Sequence, residues 1–405
     1  MSVPARHQVG PADSADPAGR VDLTNLANLV GALRAVIRES ADATDRDAEF
    51  PVATLAALRR TSLFGLLVPA EYGGLGGSVR DMVWVSTELA RDCTSAGMIF
   101  AMHCQQVAAL TSYASPALRQ ALLPRIAHGE VYLASVTTDA GKGGHLLSAE
   151  QALAERGDRL RIDRTAPIVT GGAHADGFLI TMQAPGAASA GEVSLVYADR
   201  AQLHTEVVGG WDTLGMRATE SVPMRLTGEV PADQVVGRHG GFADIAIQSF
   251  APLAHLGWSA CWLGTASGAL ARTVTMLRSR EERGRRDLTS ELFLTRLSRI
   301  RQRLDLTNAV IQHAVDTFLS GMDPTTPRQQ LLLNTVKLTA SEQCLAAVDE
   351  LVELVGLRHG YQRQSPLRLE RALRDLRAAP LNYANDRLHF ADGRLVLLDP
   401  EVRLA

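Results

Sequence analysis

Apolar positions along the chain recur with one period at its two ends and another in its middle, and the two changes of period divide it into three parts. Leu23, Leu26, Val30, Leu33 and Ile37 fall on one helical face, and Pro51 followed by Leu55, Leu58 and Leu63 opens a second helix. Val68-Pro69 and Gly73-Gly74-Leu75-Gly76-Gly77 predict a loop, because glycine at that density forfeits too much backbone entropy in a helix. Helical spacing then resumes over residues 82–91 and 96–114, with a short further helix over 118–127. Near Val131 the texture turns to strands, expected over 131–137, 160–163, 177–182, 193–198 and 224–226, with turn-rich stretches at 139–144 and 185–191. After Gly237 long helical patterns return to about Tyr383, interrupted at 321–327.

The expected fold class is therefore α+β: an N-terminal helical domain (21–130), a middle β-barrel-like domain (131–237) and a C-terminal helical bundle (238–390). Segregated strands exclude the alternating order of a Rossmann sheet. Residues 1–20, rich in Pro, Ala, Gly, Ser and Asp, are expected to form a mobile arm, and 391–405 a tail.

A chain of 405 residues has room for several cores, and 46% hydrophobic with 21% charged residues is the balance of a globular protein. A formal net charge of -3 argues against nucleic acid as a partner. Cys93, Cys104, Cys261 and Cys344 are scattered, with no zinc-ligand spacing, and read as reduced core residues; no metal is expected. No apolar run is long enough to span a membrane and no basic segment precedes an apolar one at the start, so the expectation is a cytoplasmic protein without a membrane partner. Lysine occurs only at Lys142 and Lys337, every other basic residue being arginine.

Three separated strings, in order, carry a resemblance to the acyl-CoA dehydrogenase family, which covers about residues 50–377. Leu67-Val68-Pro69-Ala70-Glu71-Tyr72-Gly73-Gly74, with Glu88-Leu89-Ala90 after it, is similar to the family's "vPeeyGG" loop. Leu214-Gly215-Met216-Arg217-Ala218-Thr219 resembles its "LGMRaS" segment, with Pro231, Val235 and Gly237 at the spacing of its "vP...vlG" exit. Gly360-Tyr361, Pro366, Glu370-Arg371 and Arg374-Asp375 resemble its "GY....P.eR..RD" run, with extra residues between Pro366 and Glu370. Each string also has a purely structural reading, since glycines close turns and Arg-Asp pairs cap helices whatever the function.

The resemblance implies FAD. A flavin ring needs hydrogen bonds to one edge from rigid backbone and an apolar wall beside it. Val136-Thr137 with Ala140-Gly141 resembles the family's "vTEp.AGSD" stretch, compressed here at Thr138-Asp139 and altered at Lys142-Gly143. Pro167-Ile168-Val169-Thr170 resembles "WIT" with Pro167 in place of the tryptophan, so that a neighbour such as Trp211 is left to fill the wall and Thr170 takes the hydroxyl role in a shifted register. Arg280 resembles the arginine that reaches the FAD diphosphate of a neighbouring subunit, a role suited to a forked guanidinium, and this implies a homodimer or homotetramer. Arg280 also sits in a charge run with Arg278, Arg283, Arg285 and Arg286, whose ordinary reading is a solvated face.

Dehydrogenating an acyl thioester requires a carboxylate against the α-carbon. The family's usual glutamate, just after "RD", is replaced here by Tyr383 or Ala384, and the alternative position around Phe250–Gly257 offers His255 but no carboxylate. Asp386 is the nearest downstream acid, with helix capping as its structural alternative. Three readings stay open: dehydrogenation of an acyl thioester, on CoA or a carrier protein, with a relocated base (Asp386 or His255) and an electron-transfer partner; a monooxygenase of the same fold, supplied with reduced flavin by a reductase, with His103 as a hydrogen-bond donor; and a non-catalytic FAD-binding subunit.

Overall fold

A computed structural model describes residues 21–141 and 146–404; the expected arm over 1–20 and the Lys142-Gly143 match lie outside the described residues. The N-terminal part is helical: α1 (Leu23–Asp47), α2 (Val52–Arg60), α3 (Val79–Ala90), α4 (Thr94–Tyr113) and α5 (Pro116–Ala127). α3 begins three residues before the expected Met82, because Ser78 and Asp81 close a reciprocal capping box ahead of the first buried methionine.

Among the described residues eight strands follow: β1 (Leu133–Val136), β2 (Ala154–Arg156), β3 (Arg159–Ala166), β4 (Gly177–Gln183), β5 (Val193–Asp199), β6 (Leu203–Val207), β7 (Met224–Pro231) and β8 (Val235–Val236). They form two four-stranded sheets, ordered β1-β4-β5-β8 and β2-β3-β7-β6. The second sheet is built on β3 and β7, paired antiparallel from Arg159 opposite Pro231 to Ala166 opposite Met224. Residues of β3 alternate strictly between exposed and buried, as a strand with one solvated face must. By contrast β4 and β5 are buried on both faces except at their last residues, and their sequences are correspondingly apolar throughout.

The chain then returns to helices: α6 (Phe242–Ile245), a π-helical turn (Ala246–Phe250), α7 (Ala251–Leu277), α8 (Arg280–Arg283), α9 (Glu291–Leu319), α10 (Pro327–Val355), α11 (Leu369–Leu376) and α12 (Asn385–Val396). α12 crosses residue 390, where the tail is expected to begin. Central to the bundle, α7 packs between α3 and α10. Gly264 lets it approach α3, since a Cβ there would stand 2.2 Å from the Thr87 carbonyl oxygen. One continuous core runs from Leu26 in α1 through the middle sheets to Ala379. All four cysteines are buried and unbridged. Among the described residues no helix is long and apolar enough to cross a membrane.

Candidate active site

A cavity of about 1040 Å³ opens where the three parts meet. Its floor is apolar, from Met98 and Met102 of α4, Ile247 and Phe250 of the π-helical turn, and Trp258 of α7. The π-helical turn displaces one residue of backbone at the mouth of α7, and Gln105 of α4 steadies it by donating to the Phe250 carbonyl at 2.6 Å.

One wall is polar and comes from the middle domain. Ser135, Thr137 and Thr138 follow one another at the end of β1, and the 167–170 loop faces them. Thr138 Oγ1 donates to the Ile168 carbonyl at 3.0 Å and accepts from the Ile168 amide at 3.3 Å, locking loop to strand. Beyond them Thr170, Ser221 and Thr219 form a hydroxyl chain, Thr170 to Ser221 at 2.9 Å and Ser221 to Thr219 at 2.8 Å, ending where Thr219 donates to the Met216 carbonyl. Trp211, whose Nε1 donates to the same carbonyl at 3.0 Å, supplies the aromatic wall that Pro167 does not. A polar edge beside an apolar floor is the environment a flavin ring requires.

The 214–219 segment is fixed from below. The Met216 amide donates to Asp375 at 2.7 Å, and Gly215 lies so close to α11 that a Cβ would meet the Arg374 carbonyl oxygen at 2.1 Å. Arg374 in turn pairs with Asp45 at 2.6 Å and Glu370 at 2.8 Å. Burial raises Asp375 to about 6, against the Met216 amide and Arg371, which favour its ionised form. The Arg374-Asp375 pair therefore ties α11 to α1 and to the cavity wall.

The opposite wall is the turn between α11 and α12. Tyr383 and Ala384 both have left-handed backbone, with φ of 56° and 33°, a conformation costly for any residue with a Cβ. Both line the cavity, where the resemblance puts the missing glutamate. The Tyr383 ring lies 5.4 Å from Trp258 and meets His255 edge-on at 5.9 Å, and burial raises its phenol well above the usual range.

His255 lines the cavity and is 4% exposed. Its Nδ1 donates to the Leu333 carbonyl of α10 at 3.2 Å, which assigns the lone pair to Nε2. Burial pushes it down to about 4, helped by the Lys337 charge and opposed by the Leu333 bond, so it is neutral at physiological pH.

The other expected residues divide. Thr137, Ile168 and Thr170 line the cavity; Val136 and Val169 flank them but are themselves fully buried in the core. Gly141 is exposed and outside the lining. His103 corrects its expected role as a donor at the site: both its nitrogens are taken, Nε2 by the Phe64 carbonyl at 3.0 Å and Nδ1 by the Leu133 amide at 3.1 Å, and it does not reach the cavity. Asp386 is corrected likewise, for it is exposed in the first turn of α12 and outside the lining, where its charge suits the helix N-terminus. Arg280 is exposed and outside the lining. Trp258 and Ser221 are cavity residues that sequence reasoning missed, because neither stands in a telling string, while Thr219 closes the 214–219 string but was not singled out as a site residue.

Among the described lining residues the sole carboxylate is Asp139, and it is engaged by the fully buried Arg164. Arg164 also donates to Gln151 and to the Thr138 carbonyl, the latter at 2.8 Å. Asp139 is thereby a support for the polar wall.

Two family models match the chain: the acyl-CoA dehydrogenase N-terminal domain over residues 28–130 and the acyl-CoA dehydrogenase C-terminal domain over 256–386. Among relatives, an L-evernosamine nitrososynthase from Micromonospora is 30% identical, covering 95% of this chain and 91% of its own. A cyclohex-1-ene-1-carbonyl-CoA dehydrogenase from Syntrophus aciditrophicus is 24% identical over 87% and 84%. In fold, the chain is similar to a dibenzothiophene monooxygenase from Paenibacillus, with TM-score 0.81, 22% identity and coverage of 94% and 98%.

Proposed function

The chain belongs to the acyl-CoA dehydrogenase family and is a flavin-dependent oxidoreductase, and on that premise we propose that it transfers oxygen to a substrate nitrogen within the cavity described. One observation carries the choice: among the described lining residues no carboxylate is free to remove an α-proton. The nitrososynthase relative, matched along nearly the whole chain, supports nitrogen as the target.

Reduced flavin would supply the two electrons that split molecular oxygen, one atom going to the substrate and the other to water. Thr137, Thr170 and the backbone of 167–170 would hold the ring edge, Trp211 and the methionines would wall it, and the apolar floor would exclude water. His255 Nε2 accepts the proton that the nitrogen releases, and Tyr383 with Trp258 confines the substrate beside it. Arg280, exposed, would hold the flavin phosphate of a second copy of the chain, with FAD the expected form and an oligomer the working unit. A separate reductase or electron-transfer partner delivers the reducing equivalents.

Acyl thioester dehydrogenation is the second reading. Dehydrogenases among the relatives and solved structures support it, and His255 is then the relocated base. Anaerobic mixing of the flavin-loaded protein with acyl-CoA thioesters separates the two. Oxygen transfer predicts that the flavin stays oxidised, while rapid bleaching would establish dehydrogenation.

A further inference from the structure

One of the chain's two lysines is fully buried, and the chemistry described above leaves it without a task. Lys337 lies one helical turn beyond Leu333 on α10, so it shares a face with the carbonyl that holds His255. The facing side of α7 carries His255, Ser259 and Trp262 at helical spacing. Ser259 donates to the Val336 carbonyl at 3.4 Å, and the Lys337 ammonium sits 5.8 Å from the Trp262 ring centroid. The same ammonium donates to Asn385 Oδ1 at 2.5 Å. Asn385 opens α12 directly after the two left-handed residues Tyr383 and Ala384. Its other bonds return to α10, with Nδ2 donating to Ser341 at 3.1 Å and to Glu342 at 3.0 Å.

These contacts close a loop: His255 to α10, α10 through Lys337 to Asn385, Asn385 through the strained turn to Tyr383, and Tyr383 edge-on to His255. We propose that Lys337 is a positioning residue for the cavity's imidazole, clamping the Tyr383–Ala384 turn over His255 through Asn385 and opposing, by its charge, a second cation at His255. The proposal rests on the reading of His255 as the proton acceptor. Strained backbone persists only where its surroundings over-determine it, and the Lys337-Asn385 bond, with those of Asn385 to Ser341 and Glu342, is a half-buried polar constraint at this turn. An ammonium placed there makes protonating the neighbouring imidazole unfavourable, so that Nε2 keeps its lone pair.

Arg374, Arg377 and Arg387 line the same cavity as His255, Arg374 being paired with Asp45 and Glu370, and Asp392 of α12 accepts from Asn334 of α10 at 2.6 Å. Glu342, on the same helix, favours the ammonium and is shared with Asn385 and with His389 of α12 at 3.5 Å. His255 and Tyr383 face it from α7 and the turn; Asp386 is exposed; Arg303 of α9 is spent on Gln343 and Glu350 further along α10. Burial brings Lys337 down to about 8, which leaves the charge in place at neutral pH.

Two readouts test this without turnover, so they stand or fall apart from the assignment of the reaction. The first is NMR titration of protein with labelled histidine, the His255 signal being assigned by its loss in His255→Gln. In the parent the imidazole stays neutral to about pH 4; Lys337→Met should raise its midpoint by about one pH unit or more, and Lys337→Arg, which keeps the charge, should restore it. The second is hydrogen–deuterium exchange of the peptide spanning 380–388, which should quicken about tenfold in Asn385→Ala as the clamp opens. Asn385→Ala keeps the ammonium and so tests the clamp even if Lys337→Met does not fold. An unchanged His255 midpoint in Lys337→Met, or one that Lys337→Arg fails to restore, overturns the electrostatic limb. Unchanged exchange in Asn385→Ala overturns the clamp.

Discussion

His103 in the N-terminal helical domain and His255 at the seam of α7 and α10 are buried alike, at 0% and 4% exposed, and burial pushes both down to about 4. What separates the two regions is the second nitrogen. His103 donates from Nε2 to Phe64 and accepts at Nδ1 from Leu133, so it joins the loop after α2 to the start of β1 and has nothing left over. His255, a residue of the cavity lining, spends Nδ1 on Leu333, which leaves the lone pair on Nε2. Burial and a depressed pKa therefore do not mark a functional histidine; an uncommitted nitrogen on a cavity residue does.

Exchanging each histidine should pull the two regions apart most strongly. His255→Gln should lower turnover by about 100-fold or more while flavin stays bound, the usual scale of a lost proton acceptor. His103→Leu should instead cost about 3 kcal/mol of stability in urea unfolding, because a carbonyl and an amide are left buried without partners, while the folded fraction keeps its activity. If His103→Leu abolished turnover in folded protein, the contrast would fail.

Acid should strike the two regions together. Both imidazoles have an ordinary value of 6.5 and a folded value near 4, so over that interval the unfolded chain binds more protons than the folded one. Stability is fully present above pH 6.5 and is lost as pH falls toward 4, by about 3 kcal/mol per histidine. Urea midpoints measured across that window should show His255→Gln with the shallower slope; equal slopes in parent and variant would break the account of its burial.

Smaller effects sharpen the flavin-holding side. Arg280→Ala should weaken flavin retention by about tenfold and loosen the oligomer, read by flavin occupancy and sizing together. Thr170→Val removes one end of the hydroxyl chain through Ser221 and should cost about 1 kcal/mol of flavin affinity in fluorescence titration, with the assembly unchanged.

Much of the helical and strand order was legible because burial imposes a period. Of the five longest strands four were foreseen, the exception being β6, whose five residues are LHTEV with none buried. β2, three exposed residues, shows no burial pattern, and β8, two buried residues, is too short to show one. α12 has no buried residue, so its polar sequence resembles a tail. In the site, Thr137 and Thr170 stood in recognisable strings, and the lost glutamate was visible as Tyr383-Ala384. The spent nitrogens of His103 were not, since Phe64 and Leu133 are far from it in sequence and give no local sign. Nor was the outward aim of Asp386, which depends on the strained turn placing α12 beside α10.

On the proposed reading this cavity, with no free carboxylate among its described lining residues and with His255 Nε2 unprotonated, passes oxygen to a nitrogen. The most direct test of that reading supplies the protein with reduced FAD, oxygen-18 gas and a panel of amino sugars, and weighs the products by mass spectrometry. The account predicts one or more labelled oxygen atoms on the substrate nitrogen, with His255→Gln forming the product about 100-fold more slowly. Unlabelled substrate recovered throughout, together with anaerobic flavin reduction by an acyl thioester, would contradict it.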